Sequence, residues 1–160
     1  MDDQIIATCM RITNKIIELE KIPQEYRTGQ ALYPSEIHTI QAIGDNGLIR
    51  VGDLAHTMGV TSGAVSQMVR KLSHKGLVEK KRSCENEKEV FLSLSDHGRI
   101  AYNAHDEIHK DIAERIQEKT GRLTEEEYAL ITRVFNAIEY TIIEMLDNKA
   151  HLIKKQTEVQ

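Results

Sequence analysis

No stretch of the 160 residues is long and apolar enough to cross a membrane, and the opening Met-Asp-Asp-Gln does not read as a signal peptide, so a cytoplasmic location is expected. Cysteine is scarce. Cys9 and Cys84 lie far apart and form no Cys-x-x-Cys pair, which argues against a disulfide framework. An excess of positive charge is also missing: the formal net charge of −4 would, taken alone, argue against a polyanionic partner. There is no internal repeat and no low-complexity run. With 40% hydrophobic and 29% charged residues, the chain suits one compact domain or a small domain with a dimerisation element.

What is present is concentrated between residues 51 and 95. VGDLAHTMGVTSGAVSQMVRKLSHKGLVE, from Val51 to Glu79, contains two short apolar-periodic segments hinged at Gly59. Leu54 and Ala55 give the first a small packing face, and Val60 is expected to plug the angle between the helices. Thr61 caps the second helix, which buries Val65, Met68, Val69 and Leu72. Its other side carries Ser62, Gly63, Ser66, Gln67, Arg70 and Lys71, small donors near the N-terminus followed by cations, as a major-groove recognition helix requires. An ordinary helical hairpin shares the glycine turn but lacks a strand-forming segment directly behind its second helix.

After Gly76, Val90, Leu92 and Leu94 alternate with Phe91 and Ser93, predicting a β-hairpin wing with its tip at Ser83 to Asn86. The first wing strand ends in Lys80, Lys81 and Arg82, placed to meet phosphate or a minor groove. From Arg70 to Arg82 six cations stand against Glu79, a net +5, which leaves −9 for the rest of the chain. The basic charge therefore coincides with the recognition helix and wing.

The flanks are helical. Ile5, Cys9, Ile12, Ile16 and Leu19 form one apolar stripe, Ile100, Ala104, Ile108, Ile112 and Ile116 a second, and Ile131, Phe135, Ile138, Ile142 and Met145 a third. Thr124 and Glu127 form a capping box, and Ser95 or Asp96 can cap the helix before it. Three such faces predict a homodimer, and a two-fold reader suits a palindromic operator in double-stranded DNA. The expected fold is mainly α with a small β wing. Residues 1–33 form a dimerisation helix and linker, 34–95 a winged helix-turn-helix, 96–150 dimerisation helices and 151–160 a disordered tail.

This layout, with a short helix from Pro34 to Ile43 before the helix-turn-helix, resembles the MarR family of transcriptional regulators over almost the whole chain. The resemblance implies a dimer held by its first and last two helices that represses or activates nearby genes. The wing departs from the family pattern: where many relatives resemble DPEDRR, this chain has SCENEK. Arg82 and Lys88 are candidates to replace the missing cation, with Glu85 and Glu87 close by.

His105 and His109 stand four apart on one helical face, close enough to share a metal ion. They resemble the histidine pair of the zinc-dependent branch of the MarR family. That resemblance implies His38 as a third ligand and a glutamate as the fourth, with Glu20 the first choice and Glu18 or Glu25 as alternatives. It offers no second site at Tyr26, Ile37 and Ala104. Chance spacing among seven histidines is the plain alternative. Other readings are an organic effector in the cleft between the second and fifth helices, and thiol oxidation at Cys9. A zinc-dependent hydrolase is the remotest, since in His105-Asp106-Glu107-Ile108-His109 the glutamate is one place too late for HExxH.

Overall fold

The computed structural model describes residues 2–82 and 90–157, with side chains for 4–81 and 90–148. The expected wing tip, Ser83 to Asn86, lies outside the described residues, as do Glu87 and Lys88. The chain divides into two compact units, one up to Asp111 and one from Ile112 onward.

The first unit opens with α1 (Asp2–Leu19), followed by the two-residue strands β1 (Gln24–Glu25) and β2 (Ala31–Leu32), which pair antiparallel. Next come α2 (Pro34–Asn46), β3 (Ile49–Arg50), α3 (Val51–Met58) and α4 (Ser62–His74). The wing strands β4 (Val78–Arg82) and β5 (Val90–Leu94) then lead into α5 (Asp96–Thr120).

Pro34 at the first turn presets the helical φ of α2, and Glu36 Oε2 accepts the Tyr33 backbone N–H at 2.9 Å. The helix runs three residues past the expected Ile43 and stops at Gly47, whose φ is +68°. Its inner face supplies Ile37, Ile40 and Ile43, which join Leu54, Leu72, Leu77 and Leu92 in a core with no exposed surface on any of them. Each such side chain contributes roughly 1.5–3 kcal/mol through removal from water.

Gly59 takes the turn between α3 and α4 in the left-handed region, at φ +64° and ψ 28°. Val60 does not plug that turn; it is 46% exposed, while Leu54 and Val65 on the flanking helices are buried in the core. Thr61 caps α4 as expected, its hydroxyl oxygen accepting the Ala64 N–H at 3.2 Å.

The wing sheet has three strands in the order β3-β5-β4, where a two-stranded hairpin is expected from the sequence. Five residue pairs, from Val78 with Leu94 to Arg82 with Val90, set the β4–β5 register. Ile49 with Leu92 and Arg50 with Phe91 add the third strand. Since β5 is central, alternation is lost at its end, and Ser93 is buried along with Leu92 and Leu94.

Of the two candidate caps for α5, Ser95 takes the role: its hydroxyl accepts the Gly98 N–H at 3.0 Å and donates to Gly76 O at 2.6 Å. A Cβ at Gly98 would overlap the Leu77 carbonyl, so glycine is what lets α5 dock on the turn after α4. Tyr102 completes the seam by covering Gly44 and donating to Asp45 Oδ1 at 2.7 Å.

In the second unit the end of α5 turns at Gly121, with φ +75°, into α6 (Glu125–Thr157). The capping box forms in both directions between Thr124 and Glu127. The helix continues beyond Ala150, where a disordered tail is expected. No helix of the described residues is long and apolar enough to cross a membrane.

Candidate nucleic-acid interface and histidine cluster

The face of α4 opposite Val65, Val69 and Leu72 is open. Ser62, Gly63, Ser66, Gln67 and Arg70 are all exposed on it. Among the described residues a Cβ at Gly63 would meet only the Thr61 hydroxyl, at 3.9 Å, so the missing side chain serves no packing there. Ser66 donates back to the Ser62 carbonyl at 2.8 Å, leaving its oxygen lone pairs outward.

Lys71 behaves differently. Its ammonium lies 3.3 Å from Glu36 Oε1 and over the Tyr33 ring, 5.4 Å from the centroid. On the wing Lys81 is exposed, and Arg82 ends β4. Lys88 lies outside the described residues. Glu36 and Lys75, which hold Lys71's neighbourhood together, were not singled out as site residues from the sequence, and a lone glutamate on a short helix offers no signal that it is buried.

The histidines gather at the other end of this unit. His105 is 5% exposed, with ring centroids 5.4 Å from His38 and 4.3 Å from His109. Glu20 approaches with Oε1 4.0 Å from His38 Nδ1. Of the alternative carboxylates, Glu25 is taken up by the backbone N–H groups of Thr28 and Gly29, and Glu18 pairs with Lys15. Two neighbours were not expected from the sequence: Gln41, whose Oε1 is 3.1 Å from His105 Nε2, and Tyr26, whose ring meets His105 edge-on at 5.6 Å.

With Nε2 engaged by Gln41, His105 Nδ1 is buried and has no hydrogen-bond partner among the described residues. Burial, reinforced by the charges of His109 and His38, pushes the His105 pKa down to about 4, so the ring is neutral at pH 7 with a lone pair available. The donor set is of the nitrogen and oxygen kind that zinc takes. As the side chains stand, however, no group of three or more His, Cys, Asp or Glu among the described residues is set to hold a metal ion.

The carboxylates between the paired histidines are engaged elsewhere: Asp106 with Lys110 at 2.7 Å, and Glu107 in a two-pronged contact with Arg27 at 2.6 and 3.1 Å. Neither is poised as a general base. Cys9 is a free, half-buried thiol.

Residues 32–90, which include α2, the helix-turn-helix and the first wing strand, match the MarR family model. A relative described as an uncharacterized HTH-type transcriptional regulator, YhjH of Bacillus subtilis, is 31% identical over 118 residues, covering 74% of this chain and 67% of the relative. The chain belongs to the MarR family. MarR-family members are transcriptional regulators rather than enzymes, and this one is a DNA-binding regulator of that kind. Among solved structures, Streptococcus pneumoniae FabT in complex with DNA is 26% identical, with a TM-score of 0.72 over 91% of this chain and 99% of that one. Lactococcus lactis ZitR, a zinc-responsive MarR family member, shares the fold at 18% identity, with a TM-score of 0.67 over 88% of this chain and 98% of that chain.

Proposed function

We propose that this MarR-family regulator acts as a homodimer on a palindromic operator and that zinc sets its DNA affinity. In this reading the capped N-terminal half of α4 enters the major groove, presenting Ser62, Gly63, Ser66, Gln67 and Arg70 to base edges and phosphate. Lys81 on the first wing strand contributes a backbone contact. Thr61 starts the helix and brings its first N–H groups toward phosphate.

The observation that carries the zinc reading is the convergence of His38 from α2 with His105 and His109 from α5, beside Glu20 just after α1. Bound zinc supplies a charged tie between donors from separate elements. The chain's own part is to orient those donors: Gln41 fixes the His105 tautomer, and the surrounding core keeps water from one side. Because α2 also packs against α3 and α4, a change at His38 reaches the DNA-reading helices directly.

Coupling of this kind typically amounts to about 1–3 kcal/mol, roughly a 5- to 150-fold change in affinity. Protein prepared without a histidine tag should bind one zinc per chain. Its affinity for a duplex selected from a random pool should change within that range between zinc and chelator. His105→Ala should abolish the difference; an unchanged zinc response in that variant would refute the metal assignment.

A further inference from the structure

Glu36 has no exposed surface, yet it is a carboxylate in the middle of the DNA-binding unit. Burying an ionised carboxylate is costly unless partners compensate, and here two cations come from one helix. Oε1 is 2.7 Å from Nζ of Lys75, the C-cap of α4, and 3.3 Å from Nζ of Lys71 in its last turn, while Oε2 accepts the Tyr33 N–H. Lys75 and Glu36 form a close ion pair, and its charge holds the Glu36 carboxyl below the usual range against the effect of burial.

The grip extends to the segment before α2. Lys75 donates to the Ala31 carbonyl at 3.1 Å, and the Gln30 side chain donates to the Lys75 carbonyl at 3.1 Å. Lys71, one turn earlier, is held over the Tyr33 ring. Residues 30–36 thus hold the end of α4 through charge, backbone and ring contacts together.

We propose that Glu36 is a positioning residue for sequence recognition. It fixes the attitude of α4 against α2, and it withdraws Lys71 and Lys75 from the phosphate backbone. Lys71 is therefore reassigned from DNA contact to this clamp. Non-specific affinity comes from cations that release counterions, whereas discrimination comes from donors held in register with base edges. Committing two lysines to a buried carboxylate lowers the first and sharpens the second. The inference rests on α4 being the reading helix.

The test measures binding of the full chain to the duplex it selects from a random pool and to a shuffled duplex, across a salt series. Glu36→Gln should bind the shuffled duplex more tightly, with a log–log salt slope steeper by about 1–2, as freed lysines meet phosphate. Its preference for the selected duplex should fall about tenfold or more. An unchanged preference and slope would overturn the proposal.

Should Glu36→Gln fail to fold, Lys71→Gln decides, since that side chain is half exposed. The proposal requires its shuffled-duplex slope to match that of the unaltered protein, while a slope shallower by about 0.9 would mark a phosphate contact and overturn it. Arg70→Glu separates the two layers. If it binds both duplexes normally, α4 is not the reader and the positioning role falls with it. If it loses both while Glu36→Gln is unchanged, only the positioning role falls.

Discussion

Single residues set the geometry here through a few polar contacts rather than through bulk. Thr61 both begins α4 and satisfies one of its free N–H groups, with Ala64 as donor at 3.2 Å. Thr61→Ala should lower stability by about 1 kcal/mol, read as a shift in the urea midpoint at unchanged slope, and Thr61→Ser should recover most of it. Equal stability of all three would mean that the cap contributes nothing. That role was legible in the sequence, because a threonine ahead of an apolar period has few other uses. The role of Glu36 was not. A glutamate on the face of a short helix reads as solvated until its partners, 35 and 39 residues further on, are seen to arrive from α4. Gln41 was hidden for a similar reason: an amide has no spacing rule, and only its approach to His105 gives it meaning.

At the scale of elements, helices with strong periods were readable and short strands were not. β1, β2 and β3 are two residues each, too brief for alternation to register, and exist because neighbouring strands offer them backbone partners. The central position of β5 likewise explains why Ser93 is buried when alternation would expose it. The apolar stripes of α1 and α6 were legible, but in the single chain much of each remains in water. Ile5, Ile12, Ile16 and Leu19 on α1 are about half exposed or more, as are Phe135, Ile142 and Met145 on α6. Apolar faces of that extent on ordered helices call for a partner, and a second copy with two-fold symmetry is the economical one. Light scattering at micromolar concentration should give twice the 18.2 kDa chain mass, and Phe135→Glu with Ile142→Glu should shift it toward the monomer. A monomer in the unaltered protein would exclude the dimer.

On the scale of the whole molecule, a chain of net charge −4 binds a polyanion because its cations are segregated rather than abundant. The run from Arg70 to Arg82 is divided again by the fold: Lys71 and Lys75 pair with Glu36, while Arg70 stays exposed beside Gln67 and Ser66. The charge pattern pointed to this region from sequence, but it could not tell which lysines pair with Glu36. The histidine cluster lies in the same unit as α4, on helices that contribute to the same core. The claim on which all of this depends is that the outer face of α4 reads DNA, and anisotropy titration of a labelled duplex with Arg70→Glu at low salt tests it most directly. A loss of affinity on the order of tenfold to a hundredfold or more is predicted, with a shallower salt dependence. Binding indistinguishable from that of the unaltered protein would contradict the account.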